Sequence, residues 1–340
     1  MKVLRTASFL AAMATLATGL LTAPAASAEQ SELRIAKQYG LGYLQMMVLE
    51  DQKLVEKHAK AAGLGDIEVT WMTFRSSDVM NDAIISGNVD FVSLGVPGLA
   101  VIWSKTQGTA SAVKAASGMN LLPLALMTRN PDVKSLKDFG PKDKIAVPAI
   151  KVSTQAILLH MAAAKEFGPD EYKKLDPITV SMRHPDALTA LLSPASEITA
   201  HFASQPFVAM EAASPGIRQL VSSTEILGGP LSFNVVATST KFHDANPKLY
   251  KAFMTAFAEA TEWVNANKRP AAELYLRVSK DKSSVDDVMK IVAAPETSYT
   301  LEPKGLMPVV EFMKKTGAIK VTPASWKDMF FPEAHGMAGS

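Results

Sequence analysis

The chain alternates short apolar runs with longer segments in which apolar residues recur every three to four positions. The short runs predict strands and the longer segments predict amphipathic helices. In the first third of the chain the predicted strands are 33–38, 67–74 and 89–94. The predicted helices are 43–62, 76–85 and 99–105. Strands that alternate with helices in this way indicate an α/β fold.

The same order of elements recurs in the middle of the chain. Strands are predicted at 144–148, 178–182 and 198–202, and helices at 152–167 and 184–192. Asp78 and Pro97 of the first block are 19 residues apart, and Asp186 and Pro206 of the second are 20 apart. This repetition favours two similar α/β lobes, although any two strand–helix–strand units share some of these features.

Two apolar stretches, 121–128 and 233–238, bracket the second block. The remainder of the C-terminal part is mostly helical in pattern, with helices predicted at 248–267, 284–293 and 306–316. If the second block is inserted into the first, the two bracketing stretches are where the chain crosses between lobes. The predicted division is therefore lobe I at 29–123 and 235–340, and lobe II at 124–234.

The first 28 residues have the pattern of a cleavable signal peptide. Lys2 and Arg5 precede an uncharged apolar stretch at 7–21, and 26–28 supplies the small residues that a signal peptidase recognises. The stretch is shorter than the ~20 residues that span a bilayer, which favours cleavage before Glu29 over a membrane anchor. We therefore expect an exported protein.

Composition and charge exclude several classes of function. The chain has no Cys, which excludes disulfides, thiolate catalysis, Cys-ligated zinc and iron–sulfur clusters. Its formal net charge is +2, and this becomes zero when Lys2 and Arg5 leave with the signal peptide. A nucleic-acid partner is therefore not expected. The 48% of hydrophobic residues is typical of a globular protein.

No motif in the chain supplies a catalytic or cofactor site. Gly40-Leu41-Gly42 opens a helix after a strand, as a dinucleotide loop does, but Gln45 stands at the third glycine position. His184 and His201 could meet at strand ends, but two His without a nearby carboxylate make a poor metal site. We therefore expect no metal, no cofactor and no enzymatic activity.

Polar side chains do cluster where the predicted strands end, which is where open α/β sheets bind ligands. Ser76-Ser77 and Ser153-Thr154 begin helices, so they can receive an anion or serve simply as N-caps. Arg75 can hold a carboxylate or sulfonate in a bidentate way, or lie on the surface. The predicted ligand-binding residues are Tyr39, Arg75, Ser76, Ser77, Gly95, Val96, Pro97, Ser153, Thr154, Gln155, Arg183, His184, His201, Ser204 and Gln205.

Several segments resemble a known family, namely 33–38, FRSS at 74–77, ISGNVDFVSLG at 85–95, and 133–140 followed by KIAVP at 144–148. They are similar to periplasmic substrate-binding proteins of ABC transporters, of the nitrate/sulfonate/taurine type related to thiamine-pyrimidine precursor binders. The resemblance implies a type II periplasmic-binding-protein fold, with two α/β lobes around a cleft and two crossing strands. It also implies a monomer that captures a small organic anion and delivers it to a permease in the inner membrane.

Two other interpretations stay open. One is an enzyme on the same fold, similar to those that make the thiamine pyrimidine, although such enzymes are normally cytoplasmic and the signal peptide argues against one. The other is a periplasmic sensing subunit that presents its ligand to a membrane receptor. The sequence does not separate sensing from transport.

Overall fold

The computed structural model describes residues 28–340, which build two β-sheets surrounded by helices. The predicted signal peptide at 1–28 therefore lies outside the described residues, apart from Ala28. The strands are β1 Glu32–Lys37, β2 Glu68–Thr73, β3 Phe91–Gly95, β4 Val113–Leu121, β5 Ala125–Thr128, β6 Ile145–Val147, β7 Thr179–Ser181, β8 Ala200–Ala203, β9 Arg218–Ser222, β10 Ser232–Ser239 and β11 Ser298–Tyr299.

The helices occupy both the segments between strands and most of the C-terminal part. They are α1 Leu44–Asp51, α2 Leu54–Ala61, α3 Ser77–Ile85, α4 Val96–Thr106, α5 Thr154–Phe167, α6 His184–Leu192, α7 Phe207–Ala212, α8 Ser223–Leu227, α9 Thr240–Ala245, α10 Pro247–Ala266, α11 Lys268–Ser279, α12 Val285–Val292 and α13 Leu306–Lys315. Across residues 28–340, no helix combines the length and the apolar character needed to cross a bilayer.

The two sheets repeat one arrangement. The first has the order β11-β4-β10-β3-β1-β2, and the second has the order β7-β6-β8-β5-β9. In each sheet the strand next to one edge, β1 or β6, pairs in parallel with two neighbours. An antiparallel strand, β10 or β5, then follows in the same position. The repetition seen in the sequence therefore corresponds to two sheets of equivalent topology.

The chain passes between the sheets twice. It leaves the first sheet after β4 and enters the second at β5, through residues 122–124. It returns after α8 through residues 228–231 and re-enters the first sheet as β10. The second sheet is thus an insertion between two strands that pair with each other in the first sheet. The exact limits of the two lobes stay a prediction.

The predicted helix at 43–62 is divided into α1 and α2, so that prediction was wrong in one respect. Lys53 has a φ of 51°, in the left-handed region, and it separates the two helices. Both helices pack against α10, and Leu54, Val55 and Ala59 of α2 are buried there. A single straight helix would not turn both apolar faces onto α10, so tertiary packing accounts for the break.

The long strand β4 has no counterpart in the sequence-based prediction. Its residues are mostly small or polar, which hides the apolar alternation expected of a strand. Gly118 shows why the residues are small, because a Cβ there would lie 2.7 Å from the backbone oxygen of Glu302. Packing against a segment far away in the sequence therefore determines these residues.

Helix α5 follows strand β6 of the second sheet and packs against α4 and α13, which belong with the first sheet. Its residue Ile157 is buried in the same apolar cluster as Leu99 of α4 and Met313 of α13. Beyond the other end of α5, the hydroxyl of Tyr172 donates a hydrogen bond to the backbone oxygen of Thr316, at 3.3 Å. These contacts link the two halves of the molecule.

Candidate ligand-binding site

A small cavity lies where the carboxyl ends of β1, β2 and β3 face those of β6 and β7. Its volume is about 20 Å³, which is room for about one water molecule. The lining residues come from both sheets and are Gln38, Tyr39, Tyr43, Ser77, Gly95, Pro148, Ser153, Thr154, Gln155, His184, Phe233 and Asn234. The two halves therefore lie close together at this point, while a larger cavity of about 700 Å³ beside it is also lined from both halves, for example by Tyr39 and Leu188.

Three helices begin at the cavity wall. Helix α3 starts at Ser77, α4 starts immediately after Gly95, and α5 starts immediately after Ser153. The Ser153 hydroxyl accepts a hydrogen bond from the backbone N–H of Ala156 at 3.2 Å, so it caps α5. Because each helix N-terminus carries a partial positive charge, the three together favour an anion in the cavity.

Thr154 and Gly95 face each other across the closed cleft. A Cβ on Gly95 would collide with the Thr154 hydroxyl. That hydroxyl is buried, and among the described residues it has no hydrogen-bond partner. A buried hydroxyl without a partner costs about 1–3 kcal/mol, so a ligand atom that bonded to it would recover free energy. Nearby, Leu41 N–H donates to the Gln205 backbone oxygen across the same cleft at 3.0 Å.

The loop after β1 is held by buried amides. The backbone oxygen of Gly42 accepts from Asn120 Nδ2 at 2.6 Å and from Asn234 Nδ2 at 3.2 Å. The hydroxyl of Tyr43 donates to Asn234 Oδ1 at 3.3 Å. A Cβ on Gly42 would lie 2.7 Å from the Phe233 ring. The Gly-Leu-Gly segment is thus a tightly packed strand–helix turn that places Tyr43 on the cavity wall.

The cavity contains no charged side chain among its lining residues. Arg75 is exposed and lies outside the cavity. Arg183 is half-exposed and forms a two-point ion pair with Asp186, at 2.6 and 3.0 Å, which raises the pKa of the guanidinium. The donors that line the cavity are therefore backbone N–H groups and neutral side chains.

A chain of hydrogen bonds leads from the cavity into the second half of the molecule. Gln155 Nε2 lies 3.1 Å from His184 Nε2, and His184 Nδ1 lies 2.7 Å from His201 Nε2. His201 Nδ1 lies 2.5 Å from Glu211 Oε1. Burial lowers the pKa of His184 well below its usual value, lowers that of His201 to about 3 and raises that of Glu211 to about 9. Burial therefore favours the neutral form of all three groups.

The structure sorts the predicted ligand-binding residues into three sets. Seven of them line the cavity: Tyr39, Ser77, Gly95, Ser153, Thr154, Gln155 and His184. Five are buried without lining it: Ser76, Val96, Pro97, His201 and Ser204. The other three are Arg75 and Arg183, which are exposed, and Gln205, which contacts Leu41 through its backbone oxygen.

The predicted set of ligand-binding residues omits five lining residues, which are Gln38, Tyr43, Pro148, Phe233 and Asn234. One of them carried a signal, since Asn234 is a polar residue inside the apolar run 233–238. Polar residues buried in a strand interior need hydrogen-bond partners, and they often mark a site. Among residues 28–340, no group of three metal-ligating side chains converges on one point.

Solved structures of periplasmic binding proteins share this fold. The alkanesulfonate-binding protein SsuA from Xanthomonas axonopodis pv. citri, bound to MOPS, is 16% identical, with a TM-score of 0.65 over 85% of this chain and 92% of that chain. The aliphatic sulphonate binding protein SsuA from Escherichia coli is 16% identical, with a TM-score of 0.62 over 89% of this chain and 98% of that chain. The nitrate-binding protein NrtA from Synechocystis PCC 6803 is 14% identical, with a TM-score of 0.59 over 79% and 74%. The predicted type II periplasmic-binding-protein fold is thereby confirmed.

Residues 26–277 match the model of the NMT1-like family. The match covers more than half of the 340 residues, so the chain belongs to the NMT1-like family. No curated protein matches the chain. The resemblance to nitrate- and sulfonate-binding proteins, predicted from short segments of the sequence, is confirmed by the family match and the shared fold together.

Proposed function

We propose that this protein is the periplasmic solute-binding component of an ABC importer. In this proposal it captures a small organic anion, such as a sulfonate or carboxylate, in the cleft between its two sheets and delivers it to a permease. Membership of the NMT1-like family and the fold shared with sulfonate- and nitrate-binding proteins support the class of function. The chemistry of the cavity supports the choice of ligand.

One observation carries the proposal. Three helix N-termini converge on a cavity in which the Thr154 hydroxyl is buried without a partner. Ser77 and Gln155 add neutral donors to the same wall. Donors without a carboxylate favour the oxygen atoms of an anion, and they bind it without the desolvation cost of a buried guanidinium.

The volume of the cavity implies that binding requires motion. Room for about one water molecule is too little for a sulfonate or carboxylate group. A ligand must therefore reach the site when the two halves separate, and the halves must close onto it around a slightly larger cavity. Such hinge closure around a ligand is a common transition in two-lobed binding proteins.

A thermal-shift panel tests the proposal. The panel holds alkanesulfonates, taurine, nitrate, aliphatic and aromatic carboxylates, and aminopyrimidines. A ligand present at 100 times its Kd stabilises the protein by about 2.7 kcal/mol, which a melting curve detects. We expect a shift with one class of anion. A shift confined to aminopyrimidines would contradict the choice of ligand, and conversion of a bound compound to product would favour an enzyme.

Two substitutions separate the possible sources of anion affinity. Thr154→Val removes the unpartnered hydroxyl at the cavity, whereas Arg75→Ala removes an exposed guanidinium outside it. We expect Thr154→Val to weaken binding of the panel's best ligand by at least about tenfold, since one hydrogen bond to a charged group contributes about 1.5–3 kcal/mol. Thr255→Val, at an exposed position on α10, is the matched control. A larger loss of affinity from Arg75→Ala would indicate that the anion binds nearer to Arg75, at the start of α3.

The remaining parts of the proposal concern location and partners. We propose that residues 1–28 direct export, that cleavage leaves Glu29 as the first residue, and that the mature protein is a monomer. N-terminal sequencing and gel filtration of the exported protein check these points. Cross-linking in membranes distinguishes a permease from a sensory receptor as the partner. A protein that retained Met1 in the cytoplasm would contradict this location.

A further inference from the structure

The hydrogen-bond chain Gln155–His184–His201–Glu211 is not needed to hold an anion at the helix N-termini. It joins the cavity wall to a carboxyl group that is fully buried on α7. Both ring nitrogens of each imidazole take part in it. The second carboxyl oxygen, Glu211 Oε2, is buried and has no hydrogen-bond partner among the described residues. The chain therefore has one end at the cavity and the other in the protein interior.

The protons of this hydrogen-bond chain can be placed in two arrangements. With Glu211 ionised, His201 Nδ1–H donates to Glu211, His184 Nδ1–H donates to His201, and His184 Nε2 presents a lone pair to the Gln155 amide. With a proton on Glu211, its O–H donates to His201 Nδ1, His201 Nε2–H donates to His184, and His184 Nε2–H donates to the Gln155 amide. Each neutral imidazole keeps one proton in both arrangements. Gln155 suits either one, because its amide can present nitrogen or oxygen to His184.

The surroundings of the chain favour the protonated arrangement. His201 lies in β8 between Met127 of β5 and Ala146 of β6, which are apolar, and Phe207 of α7 stacks on His184 at 5.3 Å. Among the described residues, Glu211 has no salt-bridge partner other than His201. An ionised Glu211 would therefore bury a charge with a single hydrogen bond, which costs far more than a neutral carboxyl group.

Other titratable groups near the hydrogen-bond chain do not change the preference of Glu211 for its protonated form. Tyr39 shares the cavity wall with His184. Arg183 and Asp186, on the same helix end as His184, pair with each other at the surface. Burial is the only cause that shifts the pKa of His201 or of Glu211, while His184 also responds to His201. The proton on Glu211 is consequently retained at neutral pH.

We propose that Glu211 is a positioning residue that, through His201 and His184, decides whether the cleft offers its ligand an N–H donor or a lone pair. In its protonated form His184 Nε2–H donates to the Gln155 oxygen, which leaves the Gln155 NH2 group as a donor for an anion. In its ionised form His184 Nε2 accepts from the Gln155 NH2 group, which withdraws that donor and leaves the amide oxygen for the ligand. The ligand part of this inference rests on the proposed function, whereas the coupling within the chain does not. Binding of an anion would accordingly be linked to one proton held about three groups away from it.

The coupling is tested without any ligand, by NMR of the protein labelled with 15N-histidine. Ring 15N shifts distinguish a protonated nitrogen from an unprotonated one. At pH 7 we expect His184 and His201 both to carry the proton on Nε2. Above pH 9 we expect both to change together to the Nδ1–H form, because Glu211 then ionises. Separate transitions of the two rings to the charged imidazolium near pH 6.5 would overturn the proposal.

Glu211→Gln is the decisive variant, since an amide fits the same space and cannot ionise. We expect its His184 and His201 signals to stay constant from pH 6 to pH 10. His160, which contacts Asp176 at 2.6 Å, is an internal control whose signals should be the same in both proteins. If the joint transition persists in Glu211→Gln, the proposal is wrong. If Glu211→Gln fails to fold, Glu211→Asp gives a second test, because the shorter acid should shift the joint transition.

A titration with butanesulfonate as the probe tests the ligand part. We expect the affinity of the unmodified protein to fall as pH rises above 9, by up to tenfold per pH unit for one linked proton, and the affinity of Glu211→Gln to stay constant. Equal pH dependence in both proteins would overturn the link to binding. If butanesulfonate and the rest of the anion panel do not bind but the joint histidine transition is present, the proposed function fails and the coupling stands.

Discussion

Thr154 and Gly95 show how single residues set the geometry of the site. Both were predicted as ligand-binding residues from their positions at strand ends, not from any special chemistry of their own. Only their contact across the closed cleft explains why position 95 holds a glycine. Its backbone φ of −68° is open to any residue, so space rather than conformation requires the glycine.

Gly95→Ala should prevent full closure of the cleft. The added methyl group would occupy the space of the Thr154 hydroxyl, so the two halves must stay farther apart. We expect at least a tenfold loss of affinity for the best anion of the panel, with little change in the far-UV circular dichroism spectrum. Gly336→Ala is the control, because nothing lies within 4 Å of a Cβ there. Unchanged affinity in Gly95→Ala would mean that this contact is not part of the bound state.

Glu211 should impose a pH dependence on stability. Burial raises its pKa from 4.5 to about 9 in the folded protein, so between these values the folded state binds more protons than the unfolded state. Its contribution to stability is complete below pH 4.5 and is lost as pH rises through 9. Relative to the unmodified protein, Glu211→Gln should gain stability as pH rises, by up to about 1.4 kcal/mol per pH unit.

Urea unfolding at pH 5, 7 and 9 measures this difference. Glu273→Gln, at an exposed position on α11, is the matched control and should follow the unmodified protein at every pH. Parallel pH profiles for Glu211→Gln and the unmodified protein would show that Glu211 ionises in the folded state at its ordinary pKa.

The helices and the loop around the cavity hold the residues of the site in position. Helices α3, α4 and α5 aim their N-termini at one point because the strands before them end at one edge of each sheet. The loop between β1 and α1 lies between them and is held by Asn120 and Asn234 from the paired strands β4 and β10. Buried amides in these strands therefore determine the position of a loop from the start of the chain.

Asn234→Ala should loosen this loop. The substitution removes the hydrogen bonds to the Gly42 oxygen and from the Tyr43 hydroxyl, both in a fully buried place. We expect a loss of about 1–3 kcal/mol in the free energy of unfolding, together with weaker anion binding, since Tyr43 lines the cavity. Denaturant unfolding measures the first effect and calorimetry the second. Asn88→Ala, at an exposed turn, should change neither.

The molecule as a whole is two similar sheets closed on a cavity of about 20 Å³. Within residues 28–340, two short connections, 122–124 and 228–231, are the only covalent links between the sheets. A hinge at these connections can open the cleft without disturbing either sheet. Contacts between the two halves include the hydrogen bond from the Tyr172 hydroxyl to the Thr316 backbone oxygen.

Distance measurements should reveal the opening. The chain has no Cys, so spin labels can be placed at Lys173→Cys and Lys315→Cys, two exposed positions next to the Tyr172–Thr316 contact. We expect a longer and broader distance distribution without ligand, and a shorter and narrower one with a bound anion. A label pair at 105 and 315, on the adjacent helices α4 and α13, should not respond. An identical distribution in both states would exclude hinge closure.

The periodicity of apolar residues along the chain correctly predicted several individual helices and strands. The predicted helix at 184–192 agrees with α6, and the strands at 33–38 and 178–182 agree with β1 and β7 to within one residue at each end. The repeated order of strands and helices also predicted two equivalent sheets. These features follow from the periodicity of apolar residues, which each segment carries in its own sequence.

Features that depend on distant segments could not be read from the chain. The small residues of β4 are explained by the backbone at 302, and the break between α1 and α2 is explained by packing on α10. The site also combines local and long-range features. The starts of its helices are visible in the sequence, whereas Phe233 and Asn234 reach the cavity only through the pairing of β10. The carboxyl partner of His201 is also hidden in the sequence, since α7 must fold back onto β8 before Glu211 meets the ring. Periodicity is a local property of the chain, but a cavity and a buried hydrogen-bond chain form only when remote segments pack together.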